Sequence, residues 1–263
     1  MNKKIKVVWI TGASSGIGAE LARQYSILGV KLILSSRRAD ILANIKSECS
    51  NPENIKILPF DLIDFKSASE IVNSAFKIFG TVDILINNAG VSQRSLIINT
   101  KFEVYRKLIE INYLCHVAIS NAILPYFIGQ GGGTYVIMSS VMGKYSSPYR
   151  SGYAAAKHAL HGFFDSLRME HQKDNIFVTI VCPGFVNTPI SKNSLTGDGS
   201  PLGKYDKANA RGLPVEFLVK KTIQAINQKK WEVSFGGKER MGVYLKRVSN
   251  KLLHYIVKNN SVR

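Results

Sequence analysis

Short apolar runs alternate along this chain with longer stretches in which apolar residues return every three or four positions. KVVWI (6–10), KLILS (31–35), IKILPF (55–60), VDILIN (82–87), TYVIMS (134–139) and FVTIVC (177–182) are near-continuous runs, the pattern of strands buried on both faces. Between them, segments over 17–29, 39–49, 66–79, 101–128 and 149–171 carry helical periodicity. A further helix near 214–228 leads to a short strand in WEVSF (231–235). Strand–helix units of this length close through right-handed crossovers. The predicted fold class is α/β: a Rossmann-like doubly wound parallel sheet flanked by helices in a single domain. That domain is expected over 1–238. Residues 189–213, rich in Gly, Ser, Asn and charge, read as a mobile substrate loop or lid. Residues 239–263 read as a basic amphipathic tail.

Composition agrees with one sizeable soluble domain: 263 residues, 45% of them hydrophobic. The three cysteines are odd in number and spaced for neither a disulfide framework nor a metal site. Cys115 and Cys182 lie in apolar runs and read as small buried residues of a reducing compartment. His158 and His161 share a predicted helix, but no nearby Cys, Asp or Glu completes a ligand set, so no metal is expected. The apolar run in MNKKIKVVWI is too short for a signal peptide or a membrane span, and a cytoplasmic protein is expected.

The net charge is +17, of which the seven Lys/Arg and one Glu of residues 238–263 contribute +6. No zinc finger, RNA-binding aromatic motif or basic recognition helix accompanies it, so nucleic acid is not an expected partner. In ERMGVYLKRVSNKLLHYIVK (239–258), Met241, Tyr244, Leu245, Val248, Leu252, Leu253 and Ile256 recur at helical spacing. Arg240, Lys246, Arg247, Lys251 and Lys258 lie between them. Such a helix can lie on an anionic membrane, pack on its own domain or meet a partner subunit.

TGASSGIG (11–18) follows the first strand and opens a helix. Gly12, Gly16 and Gly18 allow a tight turn and close approach, while Ser14, Ser15 and Ile17 bring the helix N-terminus to a pyrophosphate. About 20 residues on, where an acid would bind the adenosine ribose, stand Arg37 and Arg38. Guanidinium groups match a 2′-phosphate, so NADP(H) is expected in preference to NAD(H). YAAAK (153–157) puts Tyr153 and Lys157 one turn apart on one helix face with little bulk between them.

TGASSGIG, Asn87-Asn88-Ala89-Gly90, YAAAK and Pro183-Gly184, in this order from strand one to strand six, resemble the classical short-chain dehydrogenase/reductase family. NNAGVSQRS and GYAAAKHALHGFFDSLR are most similar to the dehydrogenase/reductase family member 7 branch, near the 11β-hydroxysteroid dehydrogenase-like enzymes. The resemblance implies Tyr153 as catalytic acid/base and Lys157 as the lysine that binds the nicotinamide ribose and lowers the tyrosine pKa. It implies Ser140, thirteen residues before the tyrosine, as its hydrogen-bonding partner, and Asn112 as support for a proton relay. It further implies adenine contact at Asp61 and Leu62, and a turn over the cofactor at Asn88, Ala89 and Gly90. Pro183, Gly184, Val186 and Thr188 match the segment that holds the nicotinamide.

The resulting expectation is an NADP(H)-dependent oxidoreductase that interconverts an alcohol and a carbonyl on a small, lipid-like molecule, as a homo-oligomer. A 3-oxoacyl carrier-protein reductase shares the same residues. A non-catalytic NADP-binding regulator is the alternative of another class, disfavoured because a sensor has no use for the acid.

Overall fold

The computed structural model describes residues 6–64 and 67–259. In chain order its regular elements begin with β1 (Val7–Thr11), α1 (Gly16–Ile27), β2 (Lys31–Ser35), α2 (Ala39–Ser47), β3 (Ile55–Ile57), α3 (Ala68–Phe79) and β4 (Ile84–Asn87). They continue with α4 (Phe102–Ile109), α5 (Cys115–Gly129), β5 (Gly133–Met138), α6 (Ser151–Glu170) and β6 (Ile176–Pro183). The last are α7 (Lys207–Ala210), α8 (Val215–Asn227), β7 (Glu232–Phe235), α9 (Met241–Val248) and α10 (Asn250–Asn259).

The strands are continuously apolar because each face of the sheet has its own core. All five residues of β1 are buried. Val8 and Ile10 join Leu21 and Tyr25 of α1 and Val219 and Ile223 of α8. Val7 and Trp9 face the other way, onto Val72 of α3, Ile119 and Phe127 of α5 and Phe164 of α6, since successive strand side chains point to opposite faces. Trp9 also donates its indole N–H to Ser35 Oγ at 2.9 Å, which satisfies that buried group.

The seven strands are all parallel, in the order β3-β2-β1-β4-β5-β6-β7. The chain winds outward from β1 to β3 and then crosses back to β4 on the other side of β1. Between β1 and β4 the connections leave in opposite directions, which opens a crevice at the carboxyl ends of the strands. The fold therefore places its ligand site before any side chain is considered.

Three segments differ from the sequence expectation. The third strand ends at Ile57 rather than 60. Pro59 has no N–H to donate, so only isolated bonds continue the ladder, from Leu58 N to Leu34 O and from Phe60 N to Ser36 O. The long helix over 101–128 is present but carries a π turn at Glu110–Leu114. Residues 189–213 are not a featureless loop. They include α7, bridge Gln93 through Leu195, and return to Val186 through Leu213.

The described part of the tail, residues 239–259, packs on its own domain; residues 260–263 lie outside the described residues. It is split at Ser249, whose backbone is extended, into α9 and α10. Leu253 is buried with Met142, Tyr145, Tyr153 and Ala154. Met241, Tyr244, Val248, Leu252 and Ile256, expected on the same stripe, remain exposed.

Trp9 is fully buried in the larger core on its face of the sheet. Trp9→Ala is expected to lower the unfolding free energy by about 3–5 kcal/mol, read from urea denaturation. A loss under about 1 kcal/mol would contradict the two-sided burial of β1.

Candidate active site

The crevice at the β1/β4 switch point is a cleft of about 570 Å³. Its floor is made by two main-chain turns in near contact. Gly12 has φ 65°, and a Cβ there would lie 2.7 Å from Ala89 Cα. Asn88 ties the turns together by donating from Nδ2 to Thr11 O at 3.0 Å and Gly12 O at 3.1 Å. Thr11 Oγ1 accepts from Asn88 N and donates to Ile86 O. Gly12, Ser14, Ser15, Gly16 and Ile17 line the cleft, and Ser15 stands at the start of α1, whose first N–H groups have no earlier turn to bond. Gly18 does not line it. It is buried below, where a Cβ would fall 2.2 Å from Gly12 O, so its role is to let α1 close on the turn.

At one end of the cleft lie Arg37, Arg38, Asp61 and Leu62. Both arginines are exposed and follow β2 directly. Asp61 Oδ1 accepts from Ile63 N at 3.2 Å, which shapes the turn after β3.

At the other end Ser140, Tyr153 and Lys157 come together. Tyr153 and Lys157 are buried on α6. Lys157 Nζ donates to Met138 O at 2.7 Å and lies 5.8 Å from the centre of the Tyr153 ring. Ser140 Oγ accepts from Met142 N at 3.1 Å and donates to Pro183 O at 3.3 Å, which fixes it at the end of β5. Burial pushes the Tyr153 phenol above its ordinary pKa, opposed by the neighbouring Ser140 hydroxyl and by the charges of Arg150 and Arg94. The Lys157 ammonium faces the Tyr153 ring from one turn along the same helix. Burial also pushes Lys157 itself down to about 8.

Asn112 lies in the π turn and is wholly buried. Its Oδ1 accepts from Val91 N at 3.0 Å and its Nδ2 donates to Leu108 O at 3.0 Å. The side chain thus staples the turn after β4 to the helix, and Gly90 is small because a Cβ would meet Asn112 Oδ1 at 2.7 Å. After β6, Pro183, Gly184, Val186 and Thr188 form one wall of the cleft. Thr188 is buried against Gly16. Gly184 leaves room for Glu239, whose Oε1 accepts from Phe185 N at 3.0 Å.

Several residues of the site were not picked out from the sequence. Gln93 Oε1 accepts from Gly152 N at 2.8 Å and Tyr153 N at 3.2 Å, and so caps the start of α6. His116 is wholly buried, held between Ala89 O and Asn87 Oδ1, and burial pushes its pKa down to about 3. Arg94 and Arg150 line the cleft beside Tyr153. Arg150 had a readable signal: it is a cation three residues before the tyrosine, at the same helix end.

His161, Cys182 and Glu232, distant in sequence, bring ligand-type atoms within 4.8 Å of one another. Spacing alone had suggested no such set. Lys144 Nζ pairs with Glu232 at 2.5 Å, and burial raises the Cys182 thiol to about 12. Cys49, Cys115 and Cys182 are all buried and free.

The family model for short chain dehydrogenases matches residues 6–198. The chain belongs to the short-chain dehydrogenase/reductase family. Its members are oxidoreductases that use a nicotinamide cofactor. The chain is 38% identical to a dehydrogenase/reductase SDR family protein 7-like of Anopheles gambiae over 97% of its own length and 83% of the relative's. It is 47% identical to the human dehydrogenase/reductase SDR family member 7 over 73% of its length, spanning 58% of that protein. In fold it is similar to a short-chain dehydrogenase/reductase of Burkholderia phymatum solved with NAD. That match has a TM-score of 0.83 and 22% identity, and covers 98% of this chain and 96% of the other.

The buried lysine has a consequence for stability. Folding lowers its pKa from 10.5 to about 8, so between these values the unfolded chain binds more protons than the folded one. The penalty of burying the ammonium is complete below about pH 8 and is relieved as pH rises toward 10.5. Urea unfolding of wild type and Lys157→Met at about pH 7.5 and 9.5 should show the difference moving by about 2 kcal/mol in favour of wild type. A pH-independent difference would contradict the burial of a titrating ammonium.

Proposed function

We propose that this protein is an NADP(H)-dependent oxidoreductase that interconverts an alcohol and a carbonyl, with Tyr153 as the acid–base group. The observation that carries the reading is a buried phenol beside Ser140 and Lys157, in the same cleft as the glycine turn. The cleft fits a dinucleotide: Gly12 and Gly18 clear space that side chains would fill, and α1 opens into it. A nicotinamide dinucleotide bound there supplies or accepts the hydride.

The protein's own groups handle the proton. A phenol with a raised pKa is protonated at neutral pH, the form needed to protonate a developing alkoxide. Ser140 Oγ lies beside it to hydrogen-bond the same oxygen. Lys157, at about 8, can release and regain a proton near neutral pH, as a group that replenishes Tyr153 must. Asn112 positions the Gly90–Val91 turn against this end of the cleft. Main-chain bonding is rearranged in the π turn that carries it, a distortion common at functional sites. Tyr153 and Lys157 line the cleft but are largely shielded from solvent.

The preference for NADP(H) rests on Arg37 and Arg38, which line the cleft after strand two, where Ser35-Ser36-Arg37-Arg38 offers no acid for a ribose hydroxyl.

Two measurements test the reading. Tyr153→Phe should lower carbonyl reduction about a hundredfold or more while NADPH binding, followed by fluorescence, largely persists; full activity in the variant would remove Tyr153 from the mechanism. Wild type should prefer NADPH to NADH, and the double substitution Arg37→Ala, Arg38→Ala should move the ratio of kcat/KM toward NADH by about tenfold or more. A wild-type preference for NADH would reverse the cofactor assignment.

A further inference from the structure

We propose that the substrate carries an anionic group, a carboxylate or phosphate ester, which is bound by Arg150 next to the reacting carbon. This rests on the oxidoreductase reading and assigns the class of molecule on which it acts.

The cleft wall beside Tyr153 contains two guanidinium groups and one carboxylate that can pair with them. Arg94 takes that carboxylate: its Nε and Nη2 donate to Asp206 Oδ2 at 3.2 and 2.8 Å. Its Nη1 is satisfied by Ser92 Oγ and Gln93 O. Asp206 Oδ1 is also occupied, accepting from Ala208 N at 2.8 Å. Arg150 reaches the same Asp206 oxygen only at 4.0 Å. Its Nε and Nη2 are buried without a hydrogen-bond partner, in a side chain only 9% exposed. The Phe185 ring lies 5.2 Å from its Cζ, and the Tyr153 and Tyr145 phenols are also close enough to act on its charge.

Such a group is costly: a buried donor without a partner forfeits its hydration, and the loss is greater when the group is charged. Burial and the nearby charge of Arg94 lower the Arg150 pKa to about 10, so the guanidinium is still charged at neutral pH. The backbone adds to the cost: Tyr149, immediately before it, has φ 69°, a left-handed conformation rare for an aromatic residue. Arg150 lines the cleft in company with Tyr153, Ser140 and Lys157. An anion on the substrate would satisfy the free donors and offset the surplus positive charge in a water-poor site, where a planar guanidinium binds a carboxylate or phosphate through paired hydrogen bonds.

The test is calorimetric titration of the NADP⁺-loaded protein, which avoids turnover. The probes are linear oxo-carboxylates of increasing length against their methyl esters, and hydroxyketone phosphates against the unphosphorylated ketones. At least one anion is expected to bind about tenfold or more tighter than its uncharged partner. The two series show whether carboxylate or phosphate is preferred. Arg150→Met should remove the difference and Arg150→Lys should retain part of it. Should Arg150→Met fail to fold, the wild-type comparison decides alone. Uncharged partners binding as tightly as every anion, or a preference that survives Arg150→Met, would overturn the assignment. NADPH oxidation with the same compounds separates the two readings. Turnover without charge preference leaves the reaction and removes the anion site. Charge-dependent binding without turnover leaves the anion site and counts against the reaction.

Discussion

Two main-chain turns, one after β1 and one after β4, pack against each other at a distance that admits no side chain on Gly12. The sheet reverses its winding direction between these two strands, so the turns meet at the mouth of the crevice. Gly12 faces Ala89, Gly18 lies under Gly12 O, and Asn88 bonds back to the carbonyls of Thr11 and Gly12. The second turn also reaches the other end of the site. Gly90 stands against Asn112, and a Cβ on it would be 3.7 Å from Lys157 Nζ. One close approach thus sets the start of α1, the π turn and the Lys157 end of α6 relative to one another. A methyl group at Gly12 or Gly18 would disturb the register of the whole cleft, not just one contact.

The reacting end of the cleft gathers polar groups that a protein interior ordinarily excludes. Tyr153, Lys157, His116, Arg150 and Asp206 are buried, and Arg94 is half-buried beside them. Low polarity acts on each according to its charge type. It keeps the His116 imidazole neutral, brings Lys157 within reach of neutral pH, and keeps the Tyr153 phenol protonated. Part of the enclosure comes from the end of the chain. Leu253 of α10 joins Met142, Tyr145 and Tyr153, while Tyr145 donates to Glu239 O at 2.7 Å. Basic residues that alone read as a surface-binding stripe therefore flank a segment that packs beside Tyr153.

Much of this was legible in the chain. The apolar runs announced a sheet buried on both faces, and TGASSGIG marked the turn at its centre. Tyr153 and Lys157 share a face because helical spacing places them there. Other features were hidden because they arise from contacts between distant segments. The π turn leaves no mark in periodicity, since one extra residue shifts an amphipathic pattern only slightly. The amphipathic tail read as one helix, yet it turns at Ser249 so that Leu253 can be buried. Residues 189–213 looked like a polar loop, but Asp206 folds back onto Arg94 across more than a hundred residues of chain.

The sequence by itself determined the periodicities, the glycine positions and the spacing of Tyr153 to Lys157. Those are local properties, set by backbone sterics and by the pitch of strand and helix. Only the tertiary structure decided what each polar group faces. It put Lys157 against Met138 O, gave Asp206 to Arg94, and left Arg150 buried with donors free. Burial and partner choice depend on which distant segments close over a residue, and with them the proton affinities and unmet hydrogen bonds on which the chemistry rests.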